Sequence, residues 1–266
     1  MTLTLGGGPL STQPPETANY RIEAPAHRLL WQPFPRRVRA LFAGRTVVDT
    51  TEAKLLHESN LLPQLYIPDT DVNDRVLEAT EHRTHCPFKG DARYATVRVG
   101  DRAAENALWS YPEPVPGAEW LTGHSALYWS SMDAWFDEDE EVQGHIRDPY
   151  HRVDVRRTSR HVRVTAGETT VADTRRALLL SETGLPNRFY VPLTDVRPGL
   201  LLPSATHTVC PYKGRASYGN LRAGGNVLDD AAWWYPSPLE EAVATAGHVC
   251  FLADGVTTYV DGAPLE

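Results

Sequence analysis

The sequence contains two copies of one segment, and a constant shift relates them. The stretch 86–90, Cys-Pro-Phe-Lys-Gly, recurs at 210–214 as Cys-Pro-Tyr-Lys-Gly, and 210 − 86 = 124. A period of this length predicts two copies of a whole domain rather than a solenoid of short repeats. A residue that one copy lacks cannot be essential to chemistry that both perform, unless one copy has lost that function. Without a gap, the same shift pairs Pro25 with Pro149, His27 with His151, Asp49 with Asp173, Glu58 with Glu182, Tyr66 with Tyr190, Trp109 with Trp233, His124 with His248 and Asp137 with Asp261.

The composition is that of a soluble globular chain. Its 266 residues are 41% hydrophobic and 23% charged, which suffices for two domains with a core each. No stretch approaches the ~20 apolar residues that span a bilayer, and the first residues lack the pattern of a secretion signal. We therefore expect a cytoplasmic protein with no membrane partner. A net charge of −8 argues against nucleic-acid binding and favours a small-molecule or protein partner.

Composition also predicts the domain boundaries. Residues 1–23 are rich in Gly, Pro, Ser and Thr and are expected to form a flexible tail. The first domain is expected at 24–137 and the second at 148–261, followed by a short tail at 262–266. The acidic run that begins at Asp137 predicts a linker at 138–147, because like charges keep a segment extended and solvated. The copies are expected to pack as a pseudo-twofold pair in a monomer, or to form a weak homodimer.

Short β-rich runs separated by Pro, Gly and Asp predict a mainly β fold of antiparallel sheets with little helix. The runs in the first copy are 38–42, 46–48, 53–58, 65–67, 94–99 and 126–129. Short helices are predicted at 106–109 and 229–234, where an Asn or Asp could cap the first turn, and at 238–246.

The Cys-Pro-aromatic-Lys-Gly turn is the first candidate for chemistry. A proline-bounded turn can bring Cys86 and Lys89 to the same side, and a nearby ammonium favours the reactive thiolate. Alternatively, the cysteine fills a small buried gap and the lysine reaches solvent. Glu58 shares a strand face with Leu56, so it needs a partner if that face is buried. The alternative is an edge strand on which Glu58 is exposed to water. The same reasoning, with the same alternatives, gives Cys210, Lys213 and Glu182 in the second copy.

Aromatic residues and histidines extend this candidate site. Tyr66 and Tyr190 are expected near the Glu and Lys, and the aromatic pairs could stack on a flat ligand or simply cap a β core. A histidine after Gly could act as an acid or base, or only satisfy a backbone carbonyl. We interpret His27 and His151 as surface residues. The candidates for ligand binding are Tyr66, Trp109, Tyr111, His124, Tyr190, Trp233, Tyr235 and His248.

The comparison of copies removes other hypotheses. A zinc site built from His82, His85, Cys86 and His124 has no counterpart in the second copy, which offers Thr, Val, Cys and His at those positions. Phosphate-loop, dinucleotide-binding and nucleophile-elbow motifs do not occur in the sequence. We therefore expect no metal and no cofactor.

Both copies resemble a bacterial family known as domain of unknown function 427. The family pattern Thr-x-Cys-Pro-aromatic-Lys-Gly-x-Ala-x-Tyr stands at 84–94 and 208–218, the Ala-Trp-x-Tyr-Pro-x-Pro pattern at 107–114 and 232–238, and Gly-His-Val-Ala-Phe at 123–127 and 247–251. The departures lie at Phe88, Leu108, Ser125, Leu127 and Tyr212.

The resemblance implies β-tent-like domains, in which two small antiparallel sheets meet at an angle. Methionine sulfoxide reductase B and the thalidomide-binding domain of cereblon are similar, and they hold small ligands in the cleft between the sheets. Many such relatives bind structural zinc, whose ligands this sequence lacks. The family is sometimes labelled nucleotidyltransferase, and no residues here support that activity.

The sequence thus predicts a protein that binds a small molecule in one or both copies. The leading hypothesis is an enzyme acting on a small carbonyl-bearing or planar metabolite, with Cys or Lys as the reactive group and Glu as base or orienting residue. The alternative is a non-catalytic module that binds a small ligand or a modified peptide end between aromatic walls.

Overall fold

The protein is mostly β structure, organised in two halves. The computed structural model describes Asn19 and residues 23–265. The chain divides into two compact units, Met1–Asp148 and Pro149–Glu266, called here the first half and the second half. Each half contains one seven-stranded and one four-stranded antiparallel sheet, and its helices are short 3₁₀ turns. The prediction of a mainly β tandem fold with little helix is confirmed.

The first half contains eleven strands and four 3₁₀ turns among its described residues. The strands are β1 (Leu29–Pro33), β2 (Val38–Phe42), β3 (Arg45–Thr50), β4 (Lys54–Glu58), β5 (Gln64–Pro68), β6 (Leu77–Cys86), β7 (Gly90–Val99), β8 (Arg102–Ser110), β9 (His124–Leu127), β10 (Ala134–Asp137) and β11 (Glu140–Glu141), and the 3₁₀ turns are Asp69–Asp71, Asp74–Val76, Glu119–Leu121 and Trp129–Ser131.

The second half repeats this order. Its strands are β12 (Val153–Arg157), β13 (Val162–Ala166), β14 (Thr169–Thr174), β15 (Leu178–Glu182), β16 (Arg188–Pro192), β17 (Leu201–Cys210), β18 (Gly214–Ala223), β19 (Asn226–Trp234), β20 (His248–Phe251), β21 (Val256–Val260) and β22 (Ala263–Pro264), and its 3₁₀ turns are Leu193–Asp195 and Glu240–Thr245.

The strand order of each large sheet follows the sequence repeat. The first half has the order β1-β4-β5-β9-β8-β7-β6, and the second has β12-β15-β16-β20-β19-β18-β17. The small sheets have the orders β11-β10-β2-β3 and β14-β13-β21-β22. Each of β1 to β9 coincides with one of β12 to β20 after the shift of 124 residues. Positions that correspond in sequence therefore correspond in the fold.

Each large sheet carries an apolar cluster on both faces. In the second half, residues of both sheets form the main core, which includes Val164, Val191 and Phe251. Leu180 and Tyr190 belong to a separate cluster formed by the large sheet and the loop at Tyr235. Side chains alternate between the faces along a strand, so Leu180 and Tyr190 define the face turned away from the small sheet. That face carries the candidate site.

The helices predicted at 106–109 and 229–234 are wrong, because both ranges lie in the strands β8 and β19. Asn106 and Asp230 have φ angles of +51° and +50°, a left-handed conformation that Asn and Asp tolerate better than most residues. Thr80 donates to Asn106 at 2.6 Å, and Thr206 donates to Asp230 at 2.7 Å. These polar residues bend strands at register shifts instead of capping helices. The helix predicted at 238–246 is confirmed as the 3₁₀ turn Glu240–Thr245.

The acidic run predicted as a linker belongs instead to the small sheet of the first half. Asp137 ends β10, and β11 pairs back on it as a hairpin. Arg36 forms two hydrogen bonds to the Asp137 carboxylate, at 2.6 and 2.7 Å, and Arg39 donates to Asp139 at 2.9 Å. Arg36 and Arg39, beside and on β2, offset the repulsion within the acidic run, so the run pairs with the sheet instead of staying extended in solvent.

The predicted tails have different outcomes. Most of the N-terminal tail predicted at 1–23 lies outside the described residues. Only Asn19 and Glu23 of this range are described. The C-terminal tail predicted at 262–266 instead contains the strand β22, which pairs with β21 and completes the small sheet of the second half.

Candidate functional site

A buried carboxylate with two donors lies at the same place in each half. Glu182 ends β15, and its side chain accepts hydrogen bonds from Lys213 and from Nε2 of His151, the latter at 2.9 Å. In the first half, Glu58 accepts from Lys89 and from Nε2 of His27, the latter at 2.8 Å. The Glu182 side chain is 9% exposed and that of Lys213 is 10% exposed. The structure thus brings the predicted Glu and Lys together in both halves.

The turn between β17 and β18 positions Lys213. The residue after it, Gly214, has a φ angle of +97°, which few residues other than glycine adopt. The Lys213 carbonyl accepts a hydrogen bond from the backbone of Leu239 at 3.1 Å. The proline-bounded loop that follows Tyr235 therefore holds the turn against the sheet and directs the lysine toward Glu182.

The interpretation of His27 and His151 as surface residues is wrong. The His151 side chain is 12% exposed, and its ring lies 4.2 Å from that of Tyr212. The His27 ring stacks on Phe88 at 3.7 Å. The aromatic residue of the Cys-Pro-aromatic-Lys-Gly turn therefore covers the histidine. The recurrence of His27 as His151 was the available sequence signal, whereas their polar neighbours suggested exposure.

Glu182 is held as a carboxylate. Burial raises its pKa, but the hydrogen bonds and positive charges of His151 and Lys213 outweigh burial, and the net pKa is lowered. The Glu182 carboxylate therefore stays negatively charged at neutral pH, and Lys213 pairs with it.

This lowered pKa predicts a specific acid sensitivity. A carboxyl group whose pKa is lower in the folded state stabilises the fold above its unfolded pKa of about 4.3, and the contribution is lost as pH falls through the folded pKa. We expect the unfolding free energy of the second half to fall between about pH 5 and pH 3. Urea unfolding at both pH values measures this loss for the wild type and for Glu182→Gln.

The comparison with Glu182→Gln isolates this residue, because Asp195 and Asp261 in the same half also have lowered pKa values. The variant should be less stable at pH 5 yet lose less stability on acidification than the wild type. An equal loss in both proteins would contradict the role given to Glu182.

Four buried tyrosines surround the charged groups. Tyr190 accepts a hydrogen bond from Nε1 of Trp233 at 3.0 Å, and Tyr66 packs in the same apolar cluster as Trp109. Burial, as the largest cause, raises the pKa of each phenol far above its usual range. All four therefore remain neutral near pH 7. The tyrosines are Tyr66, Tyr111, Tyr190 and Tyr235.

The three cysteines are buried or partly buried. Cys86 and Cys210 are partly buried against the apolar clusters that contain Tyr66 and Tyr190. Cys250 has no counterpart in the first half, where Ala126 stands, and burial raises its thiol pKa to about 12. Cys250 is therefore a neutral core residue, and the predicted thiolate at Cys86 or Cys210 stays a prediction.

His124 and His248 make the same local contact. Nδ1 of His124 lies 3.1 Å from the carbonyl oxygen of Thr122, and Nδ1 of His248 lies 3.0 Å from that of Ala246. Both histidines thus contact a backbone carbonyl oxygen at the start of a strand. This is the contact that the second hypothesis for these residues expected.

An open cleft of about 280 Å³ lies over the charged group of the second half. The resemblance implied a cleft between the sheets, whereas this one lies on the outer face, where Leu180 and Tyr190 point. Six of its eleven lining residues were not predicted from the sequence, although one of them, Tyr218, stands in the family pattern. The lining residues are Leu180, Glu182, Leu185, Pro186, Arg188, Tyr190, Lys213, Tyr218, Trp233, Tyr235 and Leu252.

Comparison with known proteins shows the same tandem repeat. The chain belongs to the family described as domain of unknown function (DUF427), whose model matches residues 30–138 and 154–262. A search of curated proteins finds no match. Among the described residues, no helix is long and apolar enough to cross a membrane. In the same part of the chain, no three His, Cys, Asp or Glu residues cluster as metal ligands would.

Proposed function

We propose that the second half is a small-molecule-binding module whose ligand enters the cleft over Lys213. The aromatic side chains of Trp233, Tyr218 and Tyr235 form its walls, and charged groups form its base. A volume of about 280 Å³ suits a ligand of one small ring with a substituent or two. The proposal includes a cytoplasmic location and a monomeric or weakly dimeric protein.

The observation that carries the proposal is the lysine at the base of the cleft. A lysine ammonium has three donors, and Lys213 uses one on Glu182. Lys213 also lines the open cleft, so its other protons face the space that a ligand would enter. A carbonyl or carboxylate oxygen of a ligand placed there would accept a charge-assisted hydrogen bond.

Two features favour binding over catalysis. Glu182 already accepts from two donors and has a lowered pKa, which makes it a poor base. Cys210 is not among the residues that line the cleft. In the catalytic version of the proposal, Lys213 acts as a general acid toward a carbonyl group of the bound molecule.

A fragment screen by methyl NMR tests the proposal. We expect small polar aromatic fragments to shift the methyl signals of Leu185 and Leu252, with dissociation constants of about 1 mM or tighter. The signals of Leu61, the counterpart of Leu185, provide an internal control in the first half.

Three outcomes separate the hypotheses. Shifts confined to Leu185 and Leu252 support a ligand site in the second half. Chemical conversion of a bound fragment during the measurement would favour the catalytic version. A set of several hundred fragments that leaves both residues unmoved would overturn the proposal.

A further inference from the structure

The two halves differ at a side chain that lines the cleft of the second half. Tyr128 in the first half corresponds to Leu252 in the second. The backbone is placed alike, because the amide of Tyr128 donates to Ala107 at 2.9 Å and that of Leu252 donates to Ala231 at 3.1 Å. The difference therefore lies in the side chains and not in the path of the chain.

Tyr128 packs against an aromatic residue of the first half. Its ring centroid is 4.6 Å from that of Trp109, with an angle of 41° between the planes. Its phenol lies near that of Tyr94 and interacts with it. Tyr94 also meets the hydroxyl of Thr84 at 2.9 Å. The Tyr128 phenol thus lies beside an aromatic wall and near a hydroxyl group of the same half.

The second half keeps this wall and this hydroxyl group but lacks the phenol. Trp233 and Tyr218 replace Trp109 and Tyr94, and the Tyr218 hydroxyl lies 3.1 Å from that of Thr208. All three replacement side chains, Leu252 included, line the open cleft. Leu252 is smaller than tyrosine and leaves the ring's place to a ligand.

A cation is also added in the second half. Arg188 lines the cleft, whereas its counterpart Gln64 donates to backbone carbonyl oxygens, including that of Leu65 at 3.1 Å. Among the residues that the structure describes, Arg188 has no carboxylate partner within ion-pair distance. Arginine binds carboxylates through two parallel hydrogen bonds, so this side chain suits an acidic substituent.

We infer that the ligand of the second half is a hydroxylated aromatic acid, whose ring takes the place that Tyr128 occupies in the first half. The ring lies against Trp233, its hydroxyl group bonds to Tyr218, and its carboxylate accepts from Arg188 and Lys213, whose side chains line the same cleft. This inference rests on the proposed function and adds the chemical class of the ligand. It also makes the first half a copy closed by its own side chain.

Calorimetric titration with 4-hydroxybenzoate tests the ligand class. We expect one site per chain, with affinity at least ten-fold higher than that for phenol, which lacks the acid, or benzoate, which lacks the hydroxyl group. Arg188→Gln should remove most of the advantage over phenol, because only Lys213 then contacts the carboxylate, and should leave the affinity for phenol unchanged. A purely structural role of Arg188 would weaken both ligands alike.

Exchange of residues between the halves tests the filled cleft. Leu252→Tyr should abolish binding of 4-hydroxybenzoate, and the double change Tyr128→Leu with Gln64→Arg should raise the stoichiometry from one site to two. Leu252 and Tyr128 are 53% and 46% exposed, so these variants should fold, and thermal unfolding checks that they do.

The failures are distinguishable. If other fragments shift Leu252 but aromatic acids bind no better than phenol, the ligand class is wrong and the proposed function stands. If Leu252→Tyr binds as well as the wild type, Tyr128 is not a substitute for the ligand. If no small molecule binds, both proposals fall.

Discussion

Lys213→Met is expected to lose about 30-fold in affinity for the ligand of the second half and about 3 kcal/mol in the unfolding free energy of that half. The affinity loss follows from removing a charged donor at the base of the cleft. The stability loss follows because Glu182, with a 9% exposed side chain, keeps only His151 as a donor. We place the value at the low end for broken buried ion pairs because of that remaining donor. Titration and urea unfolding provide the two measurements.

Lys89→Met is the matched control for this prediction. It breaks the same ion pair in the first half and should lower stability similarly, while binding at the second half is unchanged. The double change Glu182→Leu with Lys213→Met should recover much of the stability without recovering affinity, because no charge remains buried alone. Full affinity in Lys213→Met would remove the lysine from the site.

The repeat made the fold predictable because it tested each pattern twice. The runs at 38–42, 53–58 and 65–67 are strands, and period two placed Glu58 on the face of Leu56. The helices predicted at Asn106 and Asp230 are wrong because helix caps and left-handed bulges favour the same residues, those with a short polar side chain that bonds to nearby groups. Local sequence cannot decide between these uses, which depend on the neighbouring strands.

The site was predictable only where both halves agree. Glu, Lys and the aromatic pairs recur, so the comparison of copies found them. The same comparison did not point to Arg188 and Leu252, because each occurs in one copy only and such residues were treated as inessential. That rule fails when one copy has specialised, and the differences between duplicated halves then mark the functional residues. His151 was predicted to be exposed for another reason. Its burial depends on a contact with Tyr212, which is distant in the sequence.

The geometry of the turn that carries Lys213 can be tested without touching a charged group. In Gly214→Ala the new Cβ would lie 3.2 Å from the carbonyl oxygen of Ser237 and 3.5 Å from the backbone nitrogen of Leu239. The φ angle of +97° is itself strained for any residue with a side chain. Neither contact can relax easily, because the Leu239 amide is bonded to the Lys213 carbonyl.

We expect Gly214→Ala to lower the unfolding free energy of the second half by about 3 kcal/mol and to displace Lys213 from Glu182, with a loss of affinity as a consequence. Gly224→Ala is the control, since Gly224 has a φ angle of +58° and open space around the new Cβ. It should cost about 1 kcal/mol and leave binding intact. Urea unfolding and titration of both variants measure the difference. Equal losses of stability and unchanged affinity in the two would mean that the turn does not hold the lysine in place.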